Sequence, residues 1–134
     1  MNRVLIVHTS WYQKQIAKML DISIEILEKS FKCDKAKAPG AIELSALAKN
    51  KLKRNNYVGV LFLGIIIKGE TSHYDLISSE TFRSIGNLAD EYFNVALINN
   101  VICVENQSQL EKRLIINSQN NANALIQLVN EKSS

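Results

Sequence analysis

Cysteine is scarce in this chain, with only Cys33 and Cys103 among 134 residues. No C-x-x-C spacing and no adjacent histidine accompanies them, so nothing in the sequence suggests a Cys/His metal site, and no metal is expected. Both are expected to be ordinary reduced thiols, with Cys103 packed in a sheet. Long apolar runs are also missing. None approaches the ~20 residues of a membrane span, and Met1-Asn-Arg leads straight into a short strand-like run rather than a signal-peptide core. A cytoplasmic protein is therefore expected. Strong charge of one sign is absent too: the net charge is +3, and Lys and Arg are spread along the chain. The densest run, Lys49 to Arg54, has the spacing of a solvated helix face, which argues against a nucleic-acid or membrane surface. There is no internal repeat, linker or low-complexity segment. What is present is 46% hydrophobic content, enough for one buried core, and a length that fits one domain over residues 1–134.

Arg3 to His8 is a short β-branched run, after which Ile16, Leu20, Ile24, Leu27 and Phe31 recur at helical spacing. A weak strand around Lys35 to Lys37 stops at Pro39-Gly40, and Leu44, Leu47, Ala48 and Leu52 mark a second amphipathic helix. Tyr57 to Ile67 is the most strand-like segment, and its nearly continuous apolar character fits a central strand covered on both faces. A third helix carries Ile77, Phe82, Ile85, Leu88 and Ala89 on one face. A fourth strand runs from Val95 to about Cys103, and two shorter helices, with an unusually polar stretch from Asn117 to Asn123, close the chain. Strands alternating with helices predict an α/β fold, a parallel sheet with helices on both sides.

Ligands of such sheets bind outside the carboxyl ends of the strands, where loops and helix N-termini converge. Three loops qualify: His8 to Tyr12, Ala38 to Glu43 and Ile67 to Asp75. In the third, Gly69 permits close backbone approach, and Glu70, Thr71 and Ser72 are expected to open a helix whose free N–H groups suit a phosphate. His73 then falls in the first turn, where an imidazole exchanges protons near neutral pH, work typically worth ~10²- to 10⁴-fold. On pattern alone, a lone histidine near a helix start is more often a polar surface residue. Pro39-Gly40 gives a stiff turn before Ala41 and Ile42, and Glu43 reads either as an acceptor for ligand hydroxyls or as a first-turn acid complementing the helix dipole. Trp11 reads either as an exposed ring that stacks on a flat heterocycle or as a hydrophobic staple. Arg113, alone in a late helix, reads as a surface ion-pair partner or a phosphate clamp. His8 reads as structural.

Taken together and in order, these features resemble the lumazine synthase family. That family carries Pro-Gly-Ala/Ser-x-Glu after the second strand and Gly-x-x-x-Arg/Lys-Gly-x-Thr-x-His-Phe/Tyr-Asp/Glu after the third. Here the first reads Pro39-Gly40-Ala41-Ile42-Glu43. The second reads Gly64-Ile-Ile-Ile-Lys68-Gly69-Glu-Thr71-Ser-His73-Tyr74-Asp75. The resemblance extends from about Val4 to Leu128. It implies a three-layer α/β/α fold, flavodoxin-like, with a four-stranded parallel sheet. The implied reaction condenses 5-amino-6-(D-ribitylamino)uracil with 3,4-dihydroxy-2-butanone 4-phosphate to 6,7-dimethyl-8-ribityllumazine, without cofactor. Carried over position by position, Trp11 would stack on the pyrimidine, backbone groups at Ala41, Ile42, Ile66 and Ile67 would meet its polar edge and ribityl chain, and Glu43 would bind ribityl hydroxyls. Glu70, Thr71 and Arg113 would hold the phosphate, His73 would move protons, and Asp75 would orient it. The family's sites lie between neighbouring subunits of a homopentamer, some members stack pentamers into a 60-subunit shell, and riboflavin synthase is a functional partner. A start at the first sheet strand favours a free pentamer.

Two positions depart from the family pattern. Asn99 stands where an aromatic residue is usual beside the pyrimidine, and Asn121 replaces a lysine in a glycine-rich stretch that here reads Ser118-Gln-Asn-Asn-Ala-Asn123. The rival within the family is a non-catalytic flavin- or lumazine-binding paralogue, against which His73 and Arg113 argue. An unrelated nucleotide-binding domain would need a G-x-G-x-x-G or P-loop after the first strand, and His8-Thr-Ser-Trp-Tyr12 is neither.

Overall fold

The computed structural model describes residues Met1 to Ser134. The run of apolar residues in the middle of the chain forms β3 (Gly59–Ile67), and all nine of its residues are buried. Only a strand covered on both faces tolerates that composition. Around it the chain alternates: β1 (Arg3–Thr9), α1 (Gln13–Leu27), β2 (Lys32–Ala38), α2 (Leu44–Leu52), then β3, α3 (Tyr74–Glu91), β4 (Ala96–Val104) and α4 (Gln107–Lys132). The four strands form one parallel sheet in the order β2-β1-β3-β4. Because side chains alternate across a strand, the sheet feeds two cores. Val4, Ile6, Leu61, Leu63 and Ile102 pack with Ile16 and Met19 of α1 and Leu110, Leu114 and Leu125 of α4. Leu5, Val7, Val60, Phe62 and Val101 pack with Leu44 and Ala48 of α2 and Ile85 and Leu88 of α3. This is the three-layer α/β/α architecture with a four-stranded parallel sheet that the sequence predicts.

Four local expectations are corrected. The two short closing helices are one helix, the 26-residue α4. Its polar stretch contains no proline or glycine, and the buried stripe Leu110, Leu114, Ser118, Ala122, Leu125, Val129 passes through it at steps of three and four, so packing overrides weak propensity. Inside that stretch Asn121 donates to Asn100 Oδ1 at 2.7 Å, which satisfies a buried amide on β4. The strand expected over Lys35 to Lys37 extends over Lys32–Ala38. It is an edge strand, where lysines suit the open side, and Asp34 binds it to Arg3 and to the Tyr57 hydroxyl, the latter at 2.8 Å. On α3 it is Thr81, not Phe82, that faces the core: Thr81 is buried, whereas Phe82 is 49% exposed. The inner positions Thr81, Ile85 and Leu88 set the face, and one residue further on points about 100° away.

The fourth correction concerns the loop after β3. Glu70, Thr71 and Ser72 do not open a helix. Lys68–Glu70 form a short 3-10 turn, Thr71 is extended, and α3 begins at Tyr74 with His73 at its N-cap rather than in its first turn. The Thr71 hydroxyl accepts from the His73 backbone N–H at 3.3 Å. Thr71 therefore spends its side chain on the loop bend and ends the 3-10 turn.

Candidate functional site

The carboxyl ends of β1, β2 and β3 deliver their loops to one edge of the sheet. Ser10 donates to the carbonyl of Ala38 at 2.9 Å, which ties the first loop to the second. Pro39 and Gly40 then turn the chain into a 3-10 turn over Ala41–Glu43. A Cβ built at Gly40 would stand 3.1 Å from Glu43 Oε1 and 3.9 Å from the Trp11 indole nitrogen, so glycine keeps open the gap between ring and carboxylate. The third loop is held at its far side by the Gly69 N–H, which donates to the Glu105 carbonyl at 3.2 Å.

These loops enclose a cleft of about 310 Å³, walled by Trp11, Tyr12, Gly40, Ala41, Ile42, Glu43, Ile65, Ile66, Ile67, Glu70, Thr71 and Ile77. Eight of the residues that the sequence singles out, namely Trp11, Ala41, Ile42, Glu43, Ile66, Ile67, Glu70 and Thr71, are brought together here. Trp11 is 68% exposed and Ile42 49%. An indole with that much free surface is not a staple buried against α1, so its flat face is open for stacking. The only charged side chains of this cleft are the carboxylates Glu43 and Glu70. An apolar slot with acceptors and no cation favours a flat, hydroxyl-bearing ligand and disfavours an anion.

A second cleft, about 340 Å³, adjoins the first through Thr71 and is lined by Lys68, Thr71, Ser72, His73, Tyr74, Asp75 and Leu76. His73 belongs here and not to the first cleft. The N-terminus of α3 opens into this cleft, and the His73 side chain makes no capping bond to it. Lys68 and the Asp75 carboxylate balance in charge here, so it is the first N–H groups of the 18-residue α3, with the Thr71 and Ser72 hydroxyls, that make this the more anion-friendly side.

Two proposed residues stand apart from both clefts. Arg113 is exposed on α4, but its charge reaches Tyr74. Burial pushes the Tyr74 hydroxyl above its ordinary pKa, and Arg113 pulls it the other way. Arg113 lines neither cleft. Asn99 lies mid-strand in β4, half-buried on the α2/α3 face, with its Oδ1 accepting from the Val101 N–H at 2.8 Å. His8, at the end of β1, is half-buried with Nδ1 at 3.1 Å from the Thr9 carbonyl, and burial lowers its pKa. Sequence reasoning missed Tyr12, Ile65 and Ile77 as cleft walls. The nine-residue apolar run carried the signal for Ile65, and Tyr12 falls in the first candidate loop, although nothing in the sequence singles it out within that loop.

Residues 1–133 match the model of the 6,7-dimethyl-8-ribityllumazine synthase family. The chain belongs to the lumazine synthase family. Among curated lumazine synthases, that of Prochlorococcus marinus subsp. pastoris is 38% identical over 90 residues, which cover 67% of this chain and 56% of the relative. That of Bartonella tribocorum is 30% identical over 112 residues, 82% of this chain and 74% of the relative. That of Neisseria gonorrhoeae is 28% identical over 116 residues, 84% and 73%. The chain spans about half the length of the Prochlorococcus relatives it matches. The segments Pro39–Glu43 and Gly64–Asp75 supply most of the residues that wall the two clefts. No helix is long and apolar enough to cross a membrane.

Proposed function

We propose that this chain condenses 5-amino-6-(D-ribitylamino)uracil with 3,4-dihydroxy-2-butanone 4-phosphate to 6,7-dimethyl-8-ribityllumazine. The reaction releases one phosphate and two waters. The observation that carries this reading is the division of the site: an acidic, aromatic cleft without a cation shares Thr71 with a cleft built for an anion, and His73 stands on the anion side. In this reading the pyrimidinedione lies against Trp11, with its edge and ribityl hydroxyls near the Ala41, Ile42, Ile66 and Ile67 backbone and the Glu43 carboxylate. The butanone phosphate places its phosphate over the second cleft, near Thr71, Lys68 and the α3 N-terminus.

The 5-amino group then attacks the ketone, and loss of water leaves an imine. Removal of a proton from the carbon chain expels the phosphate, and the ribityl-bearing nitrogen closes the second ring with loss of the second water. In this reading His73 accepts and returns these protons. Fixing both substrates across Thr71 supplies much of the rate, since effective molarities of order 10⁵ M or more are accessible to well-oriented pairs.

The position of Arg113, outside both clefts of its own chain, supports an assembly in which a neighbouring copy completes the site. We therefore propose a homo-oligomer, with residues 1–134 acting as one unit in each subunit. The test is an assay of purified protein with both substrates that follows lumazine absorbance and free phosphate together. One phosphate per lumazine in the wild type, with Arg113→Ala raising the apparent KM for the butanone phosphate by about tenfold or more, the equivalent of one charge-assisted hydrogen bond, is the expected result. Tight binding of the pyrimidine or of flavin without product, from an assembled protein, would replace this reading with that of a binding paralogue.

A further inference from the structure

Tyr12 is the one non-glycine residue with positive φ, at φ 58° and ψ 56°. A left-handed backbone at a tyrosine is unfavourable and persists only where the surroundings hold it. Here Tyr12 also ends the loop that presents Trp11, and its side chain makes no cap to α1. The hold comes from elsewhere: the Tyr12 hydroxyl donates to Glu70 Oε1 at 2.9 Å. The other oxygen, Glu70 Oε2, accepts from the Gln107 amide at 3.0 Å. One carboxylate thus joins the loop after β1, the turn after β3 and the first residue of α4. Both bonds end on the same carboxylate, and hydrogen bonds to a carboxylate are the stronger class.

We infer that Tyr12 and Gln107 are positioning residues, which use Glu70 as a clasp to fix the direction of the Trp11 ring over the first cleft. Trp11 has little packing of its own, so the backbone at residue 12 decides where the indole points. The Tyr12 end of the clasp keeps its proton across ordinary pH. The Tyr12 hydroxyl is pushed up to about 12, first by burial and then by its bond to Glu70 and the Glu70 charge. The clasp also explains what Glu70 can offer a ligand. With both oxygens engaged, its carboxylate is committed to the protein. Of the two carboxylates in the cleft, Glu43 is then the one left to accept from hydroxyls. Gln107 extends the same constraint to α4, the helix that carries Arg113.

This inference uses the proposed reaction only for its kinetic readout. Trp11 is the sole tryptophan, so intrinsic fluorescence reports on it directly in the full chain. Tyr12→Phe and Gln107→Ala are compared with wild type by fluorescence anisotropy, by quenching with riboflavin as a flat, ribityl-bearing probe, and by steady-state kinetics. The expected result is a lower Trp11 anisotropy in both variants. Riboflavin affinity should fall about tenfold in Tyr12→Phe, the loss of one bond to a charged acceptor, and less in Gln107→Ala. In both, KM for the ribitylamino substrate should rise by more than kcat falls. Unchanged anisotropy and riboflavin affinity in both variants would overturn the inference. So would losses that merely track a lower melting temperature. Should Tyr12→Phe fail to fold, Gln107→Ala decides on its own. Changed anisotropy and riboflavin binding in a protein that makes no lumazine would sink the proposed reaction and leave the clasp standing.

Discussion

The two clefts on either side of Thr71 are of similar size, yet they are built for different chemistry. The first is apolar, open at Trp11, and carries two carboxylates and no cation. The second gathers Lys68, Ser72, His73 and the open end of α3, with Asp75 as its one carboxylate. The difference follows from what each strand end contributes. β1 and β2 hand over a ring and a small-residue turn, whereas β3 hands over a short turn and then a long helix whose dipole and free N–H groups favour negative charge. A site divided in this way can hold a neutral, hydroxyl-rich heterocycle and a phosphate side by side without either being drawn into the wrong half.

The sharpest way to break the contrast is to remove the proposed proton-transfer group from the second cleft. His73→Ala is expected to reduce kcat by about 10²-fold or more, with the KM for the ribitylamino substrate changing little, as steady-state kinetics with each substrate varied in turn will measure. A next, smaller effect is expected from filling the neutral side. Gly40→Val would put side-chain atoms where a Cβ already approaches Glu43 to 3.1 Å. Affinity for riboflavin as a probe should fall about tenfold, roughly 1.4 kcal/mol, while the KM for the butanone phosphate stays close to wild type.

The smallest effect is on stability, and both clefts contribute to it. Tyr12 of the first cleft and Tyr74 of the second have raised pKa values, burial being the leading cause in each, as does Tyr57 at the far end of the sheet. Below about pH 10, the ordinary tyrosine value, folded and unfolded chains both hold these protons and the stabilisation is complete. As pH rises further the unfolded chain ionises first, so the melting temperature should fall steadily between pH 10 and 12. Asp34 and His8 act at the other limit. Hydrogen bonds from Tyr57 and Arg3 lower Asp34, and burial lowers His8. The contribution of His8 should be lost as pH falls below about 6.5, and that of Asp34 as pH falls below about 3.9.

Much of this was legible in the sequence because periodicity and motif agreed. The apolar run ending at Ile67 announced the central strand, and Pro39–Glu43 with Gly64–Asp75 announced the loops that wall the clefts. What was illegible depended on tertiary context. The polar stretch of α4 stayed helical because Ser118 and Ala122 continue the buried stripe between Leu114 and Leu125 and because Asn121 meets Asn100, a partner 21 residues away. The 3-10 turn at Lys68–Glu70 moved His73 to a helix cap, which no propensity marks. Tyr12, Glu70 and Gln107 meet across separations of 58 and 37 residues, and none of the three belongs to a pattern that would link it to the others. Arg113 and Asn99 were placed by motif order, and the fold brings neither into a cleft.

The central claim is that the two clefts serve two different substrates, and the most direct test measures both apparent KM values in Trp11→Ala and Lys68→Ala. Trp11→Ala should raise the KM for the ribitylamino substrate about tenfold, in line with ~1–1.5 kcal/mol for an aromatic stack, and leave that for the butanone phosphate near wild type. Lys68→Ala should do the reverse. If either variant raised both values together, or if each weakened the other's substrate, the division of the site would be contradicted.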